Sequence, residues 1–219
     1  VLSSSLAIDK ELSKKIFIKN NILTPKYLKY SYRNNINKLK LINNLQKKIG
    51  FPLVVKPLNE GSSVNVFICN KNNILKTLTK LNEYGEVLLE KYIPGREIQV
   101  AILENKVLGA IELRPTRKFY DYQAKYNPKA RTEHIIPVEI SKRKYQELTK
   151  IALKAHKILN CRGVTRSDFR YYKNSFYLLE TNTQPGMTSL SLVPEIANFN
   201  NITFKNLIIK ILEDASINK

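Results

Sequence analysis

Residues 163–195 read GVTRSDFRYYKNSFYLLETNTQPGMTSLSLVPE, and the architecture turns on them. Side chains alternate faces along a strand. Arg166, Asp168 and Arg170 therefore share one face of a first strand, and Phe176, Leu178, Glu180 and Asn182 share one face of a second. A three-residue turn at Lys173-Asn174-Ser175 predicts a β-hairpin with Asp168 opposite Glu180 and Arg166 opposite Asn182. Directly opposed residues lie about 4.5–5.5 Å apart at Cβ, and like charges placed there repel. A cation between the two carboxylates removes that repulsion, and hard cations such as Mg²⁺ take oxygen ligands and keep phosphates in their shell. The competing reading is two solvated carboxylates on an open sheet. Apolar Phe176, Leu178 and Leu179 disfavour it, since they bury the hairpin. Pro185-Gly186 then leads to a helix start near Ser189.

Upstream, Asp9 is the expected N-cap of a helix to about residue 21, with Leu12, Ile16 and Lys19 at helical spacing. A break at Thr24-Pro25 precedes a short strand at 27–30. The periodicity predicts a helix over 36–49 with Leu39, Ile42, Leu45 and Ile49 inward and Gly50 as its stop. Strands follow at 53–56 and 64–69, a helix at 72–81 and a strand at 86–92. Pro94-Gly95 is the expected boundary between a lobe of residues 1–93 and a second of 94–219. The second holds paired strands 97–103 and 107–113 around Glu104-Asn105-Lys106, a helix over 141–160, the hairpin, and a last helix near 204–214. Between them, residues 114–137 show no clear secondary structure. Loops this long inside a compact domain are usually functional or mobile. The whole is α+β.

Several upstream residues suit an anionic ligand. The loop Glu60-Gly61-Ser62-Ser63-Val64 is small and rich in backbone donors, as a phosphate cradle requires, although it matches neither GxxxxGK[ST] nor GxGxxG. Lys56 stands in the apolar strand LVVKP, and a lysine buried in a strand calls for an anionic partner; snorkelling at the strand end is the alternative. Glu90-Lys91-Tyr92-Ile93 lies at the junction of the two lobes, where ligand clefts form. Its strand-end backbone suits an adenine edge, and Glu97 suits ribose hydroxyls. His134 and His156 are read as structural or exposed.

Composition sets the limits. The chain has 219 residues, 43% hydrophobic and 25% charged, ordinary for a soluble domain. No apolar run approaches the roughly 20 residues of a membrane span, and no signal peptide is visible, so no membrane partner is expected. Cys69 and Cys161 have neither metal-ligand nor disulfide spacing, which points to a reducing, cytoplasmic setting. Net charge is +19, as a nucleic-acid binder could have. Yet lysine is spread evenly, with no basic block or arginine stripe, so the charge is read as solubility and attraction of anionic nucleotides, with no nucleic-acid partner. The absence of an initiating Met suggests a chain beginning partway into a longer protein.

LVVKPLNEGSSV, EVLLEKYIPGRE, FYDYQAKY, GVTRSDF and LLETNTQPGMTSLSLVPE occur in this order and resemble the D-alanine–D-alanine ligases of the ATP-grasp superfamily. VLSSSLAIDK resembles the start of that family's central domain, residues 1–9 being its junction with an N-terminal domain. The resemblance implies an ATP-grasp fold, in which two α/β lobes clamp ATP with two Mg²⁺ (or Mn²⁺) ions. It implies phosphorylation of one D-alanine carboxylate and attack by the amine of a second, a step of cell-wall peptidoglycan synthesis, and it admits a homodimer. By the same resemblance Lys10 and Lys56 bind phosphate, and Ser62, Ser63 and Val64 form the loop over it. Glu90, Lys91, Ile93 and Glu97 hold adenine and ribose. Lys125 and Tyr126 belong to a mobile loop at about 115–137, Tyr126 linking to Ser62. Asp168, Glu180 and Asn182 are metal ligands, Arg166 and the Gly186 amide are oxyanion donors, and Ser191 with the Leu192 amide meets the second D-alanine's carboxylate. By the same resemblance the Tyr in FYDYQAKY favours D-alanine over D-lactate as second substrate.

Three positions depart from the family pattern. Asn65 stands where glycine is usual, and asparagine tolerates left-handed φ better than most residues. Thr181 and Ser167 replace small apolar residues without removing a ligand. The family's N-terminal domain carries a glutamate that anchors the first D-alanine. Without it, the expectation is retained ATP and metal binding with weak ligation. Competing readings are another ATP-grasp carboxylate–amine ligase, a non-catalytic nucleotide-binding remnant and, on charge alone, a nucleic-acid binder.

Overall fold

The computed structural model describes residues 1–32, 37–61, 64–115, 132–188 and 191–215. Ser62, Ser63, Lys125 and Tyr126, and the expected covering loop of which only residues 115 and 132–137 are described, otherwise lie outside them. Two antiparallel sheets organise what is described. The first has the order β1-β4-β2-β3, built from β1 (Tyr27–Ser31), β2 (Leu53–Pro57), β3 (Phe67–Cys69) and β4 (Glu86–Lys91). The second has the order β7-β6-β5-β8-β9, from β5 (Arg96–Leu103), β6 (Lys106–Pro115), β7 (Thr132–Ile135), β8 (Val164–Tyr172) and β9 (Ser175–Asn182).

Alternation explains how the first sheet faces two ways. Leu53, Val55, Val87 and Leu89 point into a core with Leu41 and Leu45 of α3 (Lys38–Lys48) and Ile74 and Leu78 of α4 (Ile74–Lys80). The intervening residues Val54, Lys56 and Glu90 must then face the opposite side, with Val54 paired to Glu90 across β2 and β4. Of the expected residues of α3, Leu45 and Ile49 are buried and Ile42 packs against the same core, but Leu39 is 72% exposed and Leu41 is buried in its place. Helical phase about Asn37, which caps the Leu39 and Lys40 amides, turns 41 and 45 inward together.

The second sheet is covered on both faces, so β5 reads as a nearly continuous apolar run. On one face α5 (Lys142–Ile158) packs Leu148, Ala152 and Ala155 against Ile98, Val100, Phe169 and Leu178. On the other, α6 (Leu192–Phe199) and α7 (Phe204–Asp214) bring Val193, Ile196 and Leu207 to Ala101, Ile111 and Leu113. The Pro94-Gly95 step separates β4 from β5, the adjoining strands of the two sheets. N-terminal to it, α1 (Leu2–Ile8) and α2 (Lys10–Lys19) place Leu6, Ala7 and Phe17 against the second sheet's core.

Three expectations need correction. The stretch 114–137 contains the end of β6 and all of β7, whose Ile135 pairs with Glu112. The sequence TEHI has no apolar alternation, and the strand forms because β6 offers it an edge. Val64 belongs to a turn, with β3 beginning only at Phe67. The last but one helix begins at Leu192, with Ser191 in the N-cap position.

Candidate active site

The hairpin β8–β9 has the expected pairs, Arg166 with Asn182 and Asp168 with Glu180, reached by a different route. Its turn has two residues, Lys173 (φ 46°) and Asn174 (φ 63°), because Tyr172 pairs with Ser175. The register then shifts between Asp168 and Phe169, where Leu178 opposes Phe169 and Leu179 is the extra residue. That bulge changes the face. Phe176 and Leu178 point into the core, whereas Leu179 and Glu180 line a cleft. Strict alternation had put Phe176, Leu178 and Glu180 together; the inserted residue separates them.

The cleft lies between the sheets and is lined by Lys10, Lys56, Gly61, Val64, Glu90, Lys91, Ile93, Glu97, Asp168 and Glu180, together with Val54, Val66, Arg170 and Leu179. Parity on β2 and β4, the N-terminus of α2 and the bulge of β9 bring these residues to one place. Lys10 is steadied by donation to the carbonyls of Leu58 and Glu60. Burial lowers its pKa and the neighbouring Lys56 adds to this, while Glu180 and Glu90 oppose it. Lys56 Nζ donates to Glu90 Oε1 at 2.7 Å. Burial disfavours the Lys56 charge, but Glu90, Glu180 and Asp168 outweigh it and raise the pKa.

Asp168 accepts a two-pronged contact from Arg166, Nε to Oδ1 at 2.8 Å and Nη2 to Oδ2 at 3.0 Å. Asn182 Nδ2 is 3.4 Å from the same Oδ2. The opposed carboxylates of Asp168 and Glu180 are thus balanced by Arg166, Lys10 and Lys56. Positive charge beside this acid pair comes from the protein's own basic side chains. Two carboxylates and an amide still offer an oxygen-only donor set of the kind hard cations take. Glu97 is held by Arg170 at 2.7 Å, and Lys91 Nζ donates to the Phe51 carbonyl at 3.1 Å.

Gly186, Ser191 and Leu192 adjoin one another beyond the end of β9 and are not among the cleft's lining residues. A Cβ on Gly186 would lie 2.9 Å from Ser191 Oγ, so glycine permits this approach. The Ser191 hydroxyl accepts from the Thr188 amide at 2.9 Å. Asn65 has φ 53° and donates to Tyr84 Oη at 2.7 Å; the left-handed conformation a glycine would have taken is kept. Neither histidine lines the cleft. His134 Nδ1 lies 2.7 Å from Glu195. His156 is fully buried with Nδ1 2.8 Å from Thr165 Oγ1, and burial lowers its pKa.

Sequence reasoning missed Lys14. The buried face of α2 is Lys10, Ser13, Lys14 and Phe17, with Ile16 partly buried against the same core, whereas Leu12 is 43% exposed. Lys14 has no exposure and lies 2.9 Å from Glu90 Oε2. The spacing i, i+3, i+4, i+7 would have found it, had lysine been admitted to a buried stripe. With two cationic neighbours, Glu90 is pulled well below the usual carboxylate value, to about 2, against the upward push of burial.

A cleft between two antiparallel sheets, with buried lysines on one wall and paired carboxylates on the other, defines an ATP-grasp fold of the kind found in carboxylate–amine ligases. Comparison with known proteins narrows the class. The family described as D-ala D-ala ligase C-terminus matches residues 17–213, and the chain belongs to that D-alanine–D-alanine ligase family, whose members are ATP-dependent ligases of peptidoglycan synthesis. The D-alanine–D-alanine ligase of Pelagibacter ubique (strain HTCC1062) is 62% identical over 219 residues, all of this chain and 71% of that protein. That of Wolbachia pipientis wMel is 43% identical, covering 98% of this chain and 67% of its own length. A crystal structure of the Bacillus anthracis ligase superposes with TM-score 0.85 at 36% identity, covering 97% of this chain and 68% of that one. The Bacillus anthracis ligase complexed with ATP gives 0.80 at 31% identity, covering 97% and 67%.

Proposed function

We propose that this chain binds ATP with divalent cations and joins two D-alanine molecules, releasing ADP, through an acyl phosphate on the first. One observation carries the reading: Lys10 and Lys56 face Asp168 and Glu180 across a single cleft. The lysines bind phosphate oxygens, with Val64 at the loop over them. The Lys91–Ile93 strand end takes the adenine edge, beside Glu90, and Glu97 with Arg170 borders the ribose. Asp168, Glu180 and Asn182 would hold two Mg²⁺ or Mn²⁺ ions. Bound there, such ions neutralise charge on the phosphoryl group in transfer. Arg166 and the Gly186 amide donate to the oxyanion that forms when the amine attacks. Ser191 and the Leu192 amide receive the second D-alanine's carboxylate at a helix start, where free N–H groups favour an anion. Ser62, Ser63, Lys125 and Tyr126 lie outside the described residues; by the family resemblance their role would be to exclude water from the acyl phosphate. The reading places the chain in the cytoplasm and in cell-wall synthesis.

Calorimetric titration with Mg-ATP tests it. The unsubstituted chain should bind, and Asp168→Ala/Glu180→Ala should lose most of the affinity. Equal binding by both would sink the metal assignment. D-alanine-dependent ADP release separates this reading from an ATP-grasp ligase with another substrate pair.

A further inference from the structure

Lys14 does not line the cleft, yet it is a fully buried cation in contact with a carboxylate that does. Its Nζ lies 2.9 Å from Glu90 Oε2, an ionic contact without hydrogen-bond angles. It donates to Thr24 Oγ1 at 2.7 Å. Thr24 in turn donates to the Leu178 carbonyl at 2.8 Å, immediately before the bulge that aims Glu180 into the cleft. The other oxygen of Glu90 accepts from Lys56 at 2.7 Å. One carboxylate thus sits between two lysines. Burial lowers the Lys14 pKa and Glu90 opposes this, and with both lysines protonated the three side chains together carry one positive charge.

Packing does not account for a lysine here. A methionine would fill similar space without desolvating a charge, and replacing buried ionic groups by apolar ones is often neutral or stabilising. The chemistry does account for it. A Glu90–Lys56 pair standing alone would be neutral, and its pull on a nearby phosphate would shrink to that of a dipole. A second ammonium behind Glu90 restores a full charge. It also holds the carboxylate back, so that Lys56, with one hydrogen bond among the described residues, keeps N–H groups for a ligand.

We propose that Lys14 is a positioning residue of the nucleotide site. It shares Glu90 with Lys56, keeps the cluster cationic toward the phosphates, and through Thr24 fixes that cluster relative to the Glu180 strand. The inference rests on the nucleotide reading above and goes beyond it, since Lys14 touches no ligand.

The test is titration of the full 219-residue chain with Mg-ADP at two ionic strengths, for the unsubstituted protein, Lys14→Met and Lys14→Gln. Thermal unfolding by circular dichroism is followed in parallel. Both variants should fold and bind Mg-ADP about tenfold more weakly, about 1.4 kcal/mol, with a flatter dependence on salt because one charge is gone. Glutamine keeps a donor for Thr24, so its loss of affinity isolates the charge from the tie, and it decides the question if the methionine variant does not fold. The proposal is overturned if Lys14→Gln binds as the unsubstituted chain does, or if affinity falls with an unchanged salt dependence. Unfolding of both variants would overturn it too, by making Lys14 a residue of the fold alone. If the unsubstituted chain fails to bind Mg-ADP, the nucleotide reading fails instead.

Discussion

Replacing Glu90 by glutamine keeps its shape and removes the charge shared by Lys14 and Lys56. The structure sets the magnitude. The Glu90 carboxyl has an ordinary value of 4.5 and is held at about 2 in the folded chain. At about 1.36 kcal/mol per tenfold change in proton affinity, this contributes about 3 kcal/mol of stability at neutral pH. A folded value below the unfolded one means that the contribution is complete above pH 4.5. It is lost as pH falls through about 2, and about 2 kcal/mol of it has gone by pH 3. Breaking a buried ion pair from one side costs about 3–5 kcal/mol, because the partner charges stay buried. Urea unfolding at pH 7 should therefore show Glu90→Gln less stable by about 3 kcal/mol or more, and at pH 3 the gap should narrow to about 1–2 kcal/mol. A gap of the same size at both pH values would refute the ion-cluster account, and a variant as stable as the original at pH 7 would do so outright.

Other expectations concern the frame around the site. Gly95, between the two sheets, has φ +110°, and a Cβ there would lie 2.4 Å from the Tyr171 carbonyl oxygen. Gly95→Ala should cost roughly 2 kcal/mol or more through strain and displacement of β8, read as a lower urea midpoint; an unchanged midpoint would contradict the contact. Burial pushes the Cys161 thiol up to about 11 and also raises Cys69. Neither thiol should react with a disulfide reagent at pH 8 in the native chain, and both should react in urea. Rapid modification of the native protein at Cys161 would show that its pocket opens.

The hairpin shows how far the sequence could be followed. Its pairing of Asp168 with Glu180 came out in the expected register, although the turn proved one residue shorter and a bulge at Leu179 made up the difference. Period-two reasoning has no place for an inserted residue, so it could assign partners but not faces across the insertion. The helices over 142–158 and 204–214 and the strands of β2, β4, β5 and β6 were legible because long periodic segments declare themselves. β7 was not, because its four residues carry no pattern and depend on an edge supplied by β6.

By itself the sequence determined the residue types at the site: isolated Lys56 in an apolar strand, an acid pair on a hairpin, and asparagine where a left-handed turn is needed. Each is a local property, set by the period of one element or the conformational range of one residue. Tertiary structure alone decided which charges are buried together. Lys14 and Glu90 stand far apart in the chain: helical spacing can put Lys14 on the inward face of α2, but nothing local puts it against Glu90. Burying a charge is favourable only against a partner, and that partner is brought by the packing of α2 between the two sheets, which no local pattern records.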